Sequence, residues 1–191
     1  MQITSILPNL TTERLVIRLA ERKDRDTVLA YYRDNRDHLQ PFNPKWPAEF
    51  LTKPFWDRQV DLNIEEFYAD QSARMFVFLK NEPHVAIGNV SLGGIIRNAA
   101  QFCYLGYGIA RDMQMRGIMS EAVEAVVQYG FDELNIHRIM ANYVPTNERS
   151  GKLLRRLGFS VEGYARDYLY LDGVWKDHIM TSLSNPNWRP E

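Results

Sequence analysis

Residues 113–122 read MQMRGIMSEA, with Gln114, Arg116 and Gly117 standing just before a run of alanines and valines that predicts a helix. A glycine turn feeding a helix points several backbone N–H groups at one place, and the helix dipole favours negative charge there. Such a mouth suits a phosphate, and Gln114 and Arg116 add side-chain donors. No Gly-Lys-Ser/Thr follows, so this is not a Walker loop, and the G-x-G-x-x-G spacing of a dinucleotide site is missing. The same residues also suit a plain exposed helix start with Ser120 as its cap. Glu121 and Glu124 fall in the first turn, where they favour the dipole but would repel a phosphate that came close.

Two further stretches have a similar density of chemistry. In CYLGYGIA, Gly106 and Gly108 lie on one face of a predicted strand. Glycine weakens a strand, so the pair implies a bulge or the close approach of a ligand or another backbone. In residues 142–159, NYVPTNERSGKLLRRLGF, Asn147 can cap a helix and Ser150 lies near the same end. Leu153, Leu154 and Leu157 face inward on that helix, and ordinary capping also accounts for Asn147. His38, His84, His137 and His178 are scattered singly, so no metal site is expected. Cys103 sits mid-strand as a core residue, and no G-x-S-x-G elbow points to a serine hydrolase.

The elements that would position these groups follow from periodicity. Residues 12–19 alternate as a first strand, and 24–38 have helical spacing. Residues 41–54 contain four prolines and form a loop; 55–72 return to helical spacing. Strands at 75–80, 85–92 and 102–110 form an antiparallel meander, with a turn at 81–84. A helix at 121–134, a strand at 138–144 and a helix at 147–157 that stops at Gly158 come next. Two last strands flank an Asp172-Gly173 turn. The fold class is α/β: a mixed, mostly antiparallel sheet of about seven strands with about four helices.

The totals bound the function. The 191 residues, 45% hydrophobic, suit one domain. A net charge of −1 argues against direct nucleic-acid binding. No apolar run is long enough for a membrane span, and the start is a poor signal peptide. With a single cysteine, no internal disulfide forms, and a cytoplasmic location is expected.

Together the three stretches resemble the GCN5-related N-acetyltransferase family, from about residue 10 to about residue 188. Its signature, a glycine strand followed by Q/R-x-x-G-x-G/A opening a helix, is matched by residues 114–119, with Met119 in place of the last small residue. Asn147, Ser150, Leu157-Gly158-Phe159 and Glu162-Gly163 are similar to the branch that acetylates N-termini of ribosomal proteins. The resemblance implies an N-acetyltransferase domain at 10–188, with short extensions at 1–9 and 189–191. It implies acetyl-CoA as co-substrate and no metal. The cofactor would lie in a gap between the strand ending at Ala110 and the strand at 138–144, its pantetheine on backbone near Ile109 and Ala110. Its pyrophosphate would sit on the N–H groups of Met115, Arg116, Gly117, Ile118, Met119 and Ser120, flanked by Gln114, Asn147 and Ser150.

A ribosomal-protein N-terminus, at alanine, is the implied acceptor, and the enzyme a monomer or homodimer. An antibiotic or polyamine acceptor, or a non-catalytic acyl-CoA-binding regulatory module, is the alternative. Attack on the thioester is direct, and a backbone N–H near Ile109 would hold the oxyanion. An α-amine, with a pKa of about 7.7–8.0, is roughly a tenth neutral at pH 7, so a weak base or a water chain suffices. Glu162 is the expected base, with Tyr143, Asp167 and Tyr168 as alternatives. Many relatives protonate the departing thiolate with a tyrosine four residues before the L-G-F glycine; that position is Leu154, and Ser150 is the implied substitute. Trp46, Tyr143 and Tyr168 are expected to touch substrate, and Phe42, Phe55, Trp56, Phe67 and Tyr68 to help set specificity or to build core.

Overall fold

A computed structural model describes residues 6–190. Residues 1–5 and 191, which belong to the expected terminal extensions, lie outside the described residues. The chain forms one eight-stranded sheet, in the order β1-β2-β3-β4-β5-β6-β8-β7. The strands are β1 (Asn9–Thr11), β2 (Leu15–Leu19), β3 (Ser72–Leu79), β4 (Glu82–Ile96), β5 (Phe102–Ile109), β6 (Arg138–Met140), β7 (Ser160–Leu171) and β8 (Val174–Ser184). Every neighbouring pair is antiparallel except β5 and β6.

Five helices cover the two faces: α1 (Arg25–Asp34), α2 (Arg36–Leu39), α3 (Lys53–Tyr68), α4 (Ile118–Asp132) and α5 (Glu148–Arg156). On one face, α4 lays Ala122, Val123 and Val126 over Ile17, Val90 and Ile139, and Leu154 of α5 joins the same cluster. On the other face, α1 and α3 lay Val28, Trp56 and Val60 over Phe76 and Phe78.

The differences from the sequence reading are local. The expected strand at 12–19 is two strands, because Thr12 folds back: its N–H donates to the Leu15 carbonyl and its hydroxyl accepts from the Leu15 N–H. The sheet therefore gains a strand. The expected helix at 24–38 breaks at Asn35, whose side-chain amide donates to the Tyr31 carbonyl and ends α1. The third helix starts earlier than expected, capped by Thr52, because Pro54 in its first turn has no N–H to lose. The turn expected at 81–84 is tighter, since β4 already begins at Glu82. The helix expected from 121 starts at Ile118, and its cap is Gly117 at φ +75°, not Ser120.

The strand expected at 138–144 pairs with β5 over three residues only, and this shortening creates the site. Two expected turns stand as read: Gly158 ends α5 at φ +86°, and Asp172 and Gly173 both take positive φ between β7 and β8.

Candidate active site

Beyond Tyr104 no residue of β5 pairs with β6. The chain after β6 turns instead to β8: the Ala141 N–H donates to Thr181, and Tyr143 and Ile179 exchange both backbone bonds. The other arm stays with β4, where Ala110 donates to the Ile87 carbonyl and Gly108 pairs with Asn89. Antiparallel bonding alternates along a strand, so the peptide groups of Tyr107 and Ile109 must point away from β4, into the opening. The opening therefore offers two N–H groups that no strand has claimed.

Gly108 belongs to the packing beside this arm. A Cβ there would stand 3.0 Å from Asn89 Oδ1, 3.1 Å from the Tyr31 hydroxyl and 3.2 Å from Leu39. The expected close approach at this glycine is thus made by α1 and α2. Gly88 sits opposite, and a Cβ on it would meet the Gly108 carbonyl at 2.7 Å and the end of Met119 at 3.4 Å. Glycine at 88 leaves room for the end of the large Met119 side chain.

The mouth of α4 is built from backbone. Met115 and Gly117 both take left-handed conformations, and Met115 is 88% exposed. Among the described residues, the N–H groups from Met115 to Ser120 have no acceptor in the protein. Successive N–H groups in alternating turns and at a helix start make an anion concavity. The Ile118 and Met119 side chains are buried, so only their backbone is offered. The Arg116 side chain is exposed, and its carbonyl accepts from Arg14 at 2.9 Å.

Glu121 accepts from the Thr12 hydroxyl at 2.6 Å, the Arg14 N–H at 2.9 Å and the Arg14 guanidinium at 2.7 Å. Burial pushes this carboxyl up, but those donors outweigh burial and hold it below the usual range. Its charge is turned onto Arg14, so it opposes an anion at the mouth less than the sequence suggests. Gln114 is a strut, not a free donor: its amide nitrogen bonds His38 at 2.7 Å and its oxygen accepts from Arg149, joining α2, the loop and α5.

The two arms of the opening each send a tyrosine to the start of α5. Tyr107, from the β5 arm, makes a 2.7 Å hydrogen bond with the Ser150 hydroxyl. Tyr143, from the other arm, lies so close over Gly151 that a Cβ there would meet its ring at 2.8 Å. Asn147 caps α5 by accepting from the Ser150 N–H at 3.2 Å. Tyr107 was not singled out from sequence. Its one signal was alternation, which puts it on the same face as Cys103 and Leu105, toward α4 and α5.

The opposite face of the opening carries Tyr104, Asn142, Tyr168 and the buried His178. The Asn142 amide donates to the Tyr168 hydroxyl at 3.3 Å, and Tyr168 meets the His178 ring edge-on at 5.3 Å. Burial and the neighbouring Tyr168 push the Tyr104 phenol up. Asp177 fixes the kink in β7 by accepting from the Tyr164 hydroxyl and, at 2.9 Å, from the Asp167 N–H. The proline-rich loop reaches this hairpin, since the Asp172 N–H donates to the Asn43 carbonyl at 2.9 Å.

Of the loop aromatics, Trp46 stacks on Phe50 at 4.4 Å and meets Tyr32 edge-on at 5.6 Å. Phe55 packs on Phe50, Trp56 and Phe67 are core, and Phe42 and Tyr68 are exposed.

Glu162 does not belong to this site. It pairs with Arg138 and accepts from the Ser182 hydroxyl at 2.8 Å. Ser182 pairs with Met140, which pairs with Tyr104, and Ile109 lies five residues further along β5. At ~3.3 Å per residue, Glu162 is offset from the Ile109 N–H by about 17 Å along the strand direction alone. Arg138 first, and Ser182 second, hold its carboxyl below the usual range. Among the described residues no three His, Cys, Asp or Glu side chains gather as a metal-ligand set, and no helix is long and apolar enough to cross a membrane.

A described acetyltransferase (GNAT) domain matches residues 14–160. The chain is 41% identical over 181 residues to the [ribosomal protein uS5]-alanine N-acetyltransferase of Escherichia coli (strain K12), covering 95% of this chain and 93% of that one. The crystal structure of ribosomal-protein-S5-alanine acetyltransferase from Vibrio fischeri superposes with a TM-score of 0.91 at 37% identity, over 96% of this chain and all of that one. Mycobacterium smegmatis RimJ, solved with a CoA-disulfide, shares the fold with a TM-score of 0.83 at 22% identity, over 89% and 81% of the two chains. An opened β5–β6 pair beside an N–H-lined helix mouth is thus set in a chain whose likeness spans nearly its full length: the protein belongs to the acetyltransferase (GNAT) family.

Proposed function

We propose that the chain transfers the acetyl group of acetyl-CoA to the α-amine of an N-terminal alanine on a ribosomal protein. The observation that carries this reading is the 41% identity over 95% of the chain, which takes in the proline-rich loop and the β7–β8 hairpin as well as the CoA side. Residues 10–188 act as the catalytic unit, in the cytoplasm, as a monomer or homodimer without direct nucleic-acid contact.

The pyrophosphate rests on the N–H groups of Met115 to Ser120, with Arg116 beside it and Gln114 holding the loop in shape. The pantetheine runs along the open edge of β5, and the thioester carbonyl meets the Ile109 N–H. The peptide N-terminus approaches from the side of Tyr104, Asn142 and Tyr168, under the loop that carries Trp46, and Tyr143 meets it from the α5 side. The amine attacks the carbonyl carbon, the oxyanion is held by backbone, and the C–S bond breaks with its electron pair on sulfur. No carboxylate takes the amine proton. About a tenth of an α-amine is already neutral at pH 7, and the ammonium of the adduct loses its proton to solvent or to the thiolate.

The test is CoA release from acetyl-CoA with peptides that differ only at residue one, beside a peptide with a blocked N-terminus and a free lysine. Turnover confined to free alanine ends is expected. Turnover with a polyamine but no peptide would transfer the reading to a small amine. Tight acetyl-CoA binding with no turnover on any amine would favour a regulatory acyl-CoA module.

A further inference from the structure

Tyr107 lies in the opening, yet none of the steps above uses it. Its hydroxyl is 2.7 Å from Ser150 Oγ, and either atom could be the donor. The surroundings decide the direction. Tyr107 is mostly buried, and among the described residues its hydroxyl has no hydrogen-bond partner other than Ser150. If Ser150 donated, the phenol proton would be left without an acceptor in the protein. A phenol is also the stronger acid and so the better donor. The Tyr107 proton therefore points at Ser150 Oγ.

That fixes the serine. Ser150 Oγ accepts from Tyr107, and its N–H is spent on Asn147. A helix serine otherwise turns its proton back onto a carbonyl one turn earlier. With Tyr107 occupying one side of the oxygen, the remaining proton is directed into the opening between the β5 arm and Tyr143.

We propose that Tyr107 is a positioning residue for thiolate departure: it donates to Ser150 Oγ and so aims the Ser150 proton at the thioester sulfur. The inference rests on the acetyl-transfer reading above.

Tyr107 keeps its own proton throughout. Burial pushes its phenol up to about 12, against about 8.5 for an ordinary thiol. A relay that ended in a tyrosinate would run uphill by about 3.5 pK units. The atoms balance without it. The C–S bond breaks, sulfur takes the electron pair and a hydrogen bond from Ser150, and the proton that ends on sulfur is the one lost by the attacking ammonium.

Two measurements test this. The first is kcat with acetyl-CoA for Tyr107→Phe, Ser150→Ala and the double variant. Tyr107→Phe is expected to lower kcat about tenfold with the acetyl-CoA KM unchanged, and the double variant to be no slower than Ser150→Ala. The second needs no amine substrate: the thiol of bound CoA is titrated by the ultraviolet absorbance of its thiolate. Wild-type enzyme should hold that thiol at a lower pKa than either single variant, by about one unit, because only an aimed Ser150 proton stabilises the thiolate.

An equal thiol pKa in wild type and Tyr107→Phe, or multiplicative losses in the double variant, would overturn the proposal. A lowered thiol pKa in an enzyme that turned over no peptide would support Tyr107's role and sink the peptide reading alone.

Discussion

Replacing Glu162 by Gln separates two accounts of the amine proton by a wide margin. A general base removed from the reacting amine costs about 10²–10⁴ in rate. The structure gives Glu162 a different task. It bonds Arg138 and Ser182 at the end of the sheet where β5 and β6 are still paired, about 17 Å along the strand from Ile109. Both partners lower its pKa, moving it away from the neutral range that a base for an α-amine needs.

The ion pair is partly exposed, 31% and 40% at the two side chains, so its removal costs about 0.2–1 kcal/mol. For a chain of this size that is a fall in Tm of up to about 4 °C. The expected result is therefore a kcat within about twofold of wild type and a slightly lower Tm. kcat/KM should rise with pH through the peptide's own α-amine pKa, about 7.7–8.0, with no inflection between about pH 4 and 6. The assay is initial-rate CoA release from pH 4 to 9, with acetyl-CoA affinity measured by calorimetry as a control on folding. A hundredfold loss of kcat with intact folding and acetyl-CoA binding would refute the reasoning and restore Glu162 as base.

Gly151→Ala sets a helix-propensity gain of about 1 kcal/mol against the displacement of the Tyr143 ring, which a Cβ would meet at 2.8 Å. Stability by urea titration should change by under about 1 kcal/mol, while kcat/KM for peptide falls several-fold; a variant that is more stable and fully active would show that Tyr143 does not serve the acceptor. Asp24→Asn removes the charge behind the two bonds that Arg18 makes at 2.6 and 2.8 Å and one of their acceptors, and leaves a part-buried cation, at a cost of about 1–3 kcal/mol at pH 7.

Burial pushes the Asp24 carboxyl up, but Arg18 and the Glu21 N–H outweigh it and hold the folded pKa low. The stability gained is full above the unfolded pKa of about 3.9 and is lost as pH falls through the lower folded value. Wild type and variant should therefore begin to converge in urea midpoints as pH falls below about 4; a gap that stays constant as pH is lowered further would disprove the pairing as its source. Gln114→Ala frees His38 and Arg149 together and should weaken acetyl-CoA binding roughly tenfold by calorimetry, at about 0.5–1.5 kcal/mol per bond lost. Unchanged affinity would mean that the loop keeps its shape without the strut.

Periodicity located most elements because each is governed by its own residues: the α4 helix by Ala122, Val123, Val126 and Val127, the last hairpin by Asp172 and Gly173. It misplaced those decided by a partner elsewhere. Residues 138–144 have one continuous pattern, yet only three pair with β5, because Ala141 and Tyr143 bond β8 instead. Nothing in the local spacing marks that divergence. The helix mouth was legible for the opposite reason, since Gly117 and the polar residues before it are a local device. The ion pair of Glu162 was not legible because its partner Arg138 lies 24 residues away across the sheet. Nor were the bonds by which Gln114, a donor on sequence, ties His38 to Arg149 in the fold.

Leu154 bears on the proposed dependence of thiolate departure on Tyr107 and Ser150. It stands where the family resemblance implies an acidic tyrosine, and it is 1% exposed, packed into the cluster under α4. A hydroxyl introduced at that position, with the backbone as it stands, would enter the core and lose its water without a partner, at about 1–3 kcal/mol. The polar end of α5 therefore has to be supplied from outside the helix. The divergence of β5 and β6 provides the means, because it leaves two arms on which an aromatic residue can reach the first turn of α5. Tyr143 takes the cover of Gly151, and Tyr107 takes the Ser150 hydroxyl. Replacing Tyr107 should then injure the chemical step while leaving α5 in place, whereas enlarging Gly151 should move Tyr143 and leave the Ser150 hydrogen bond intact. Opposite signatures on thiol pKa and peptide KM would distinguish the two arms.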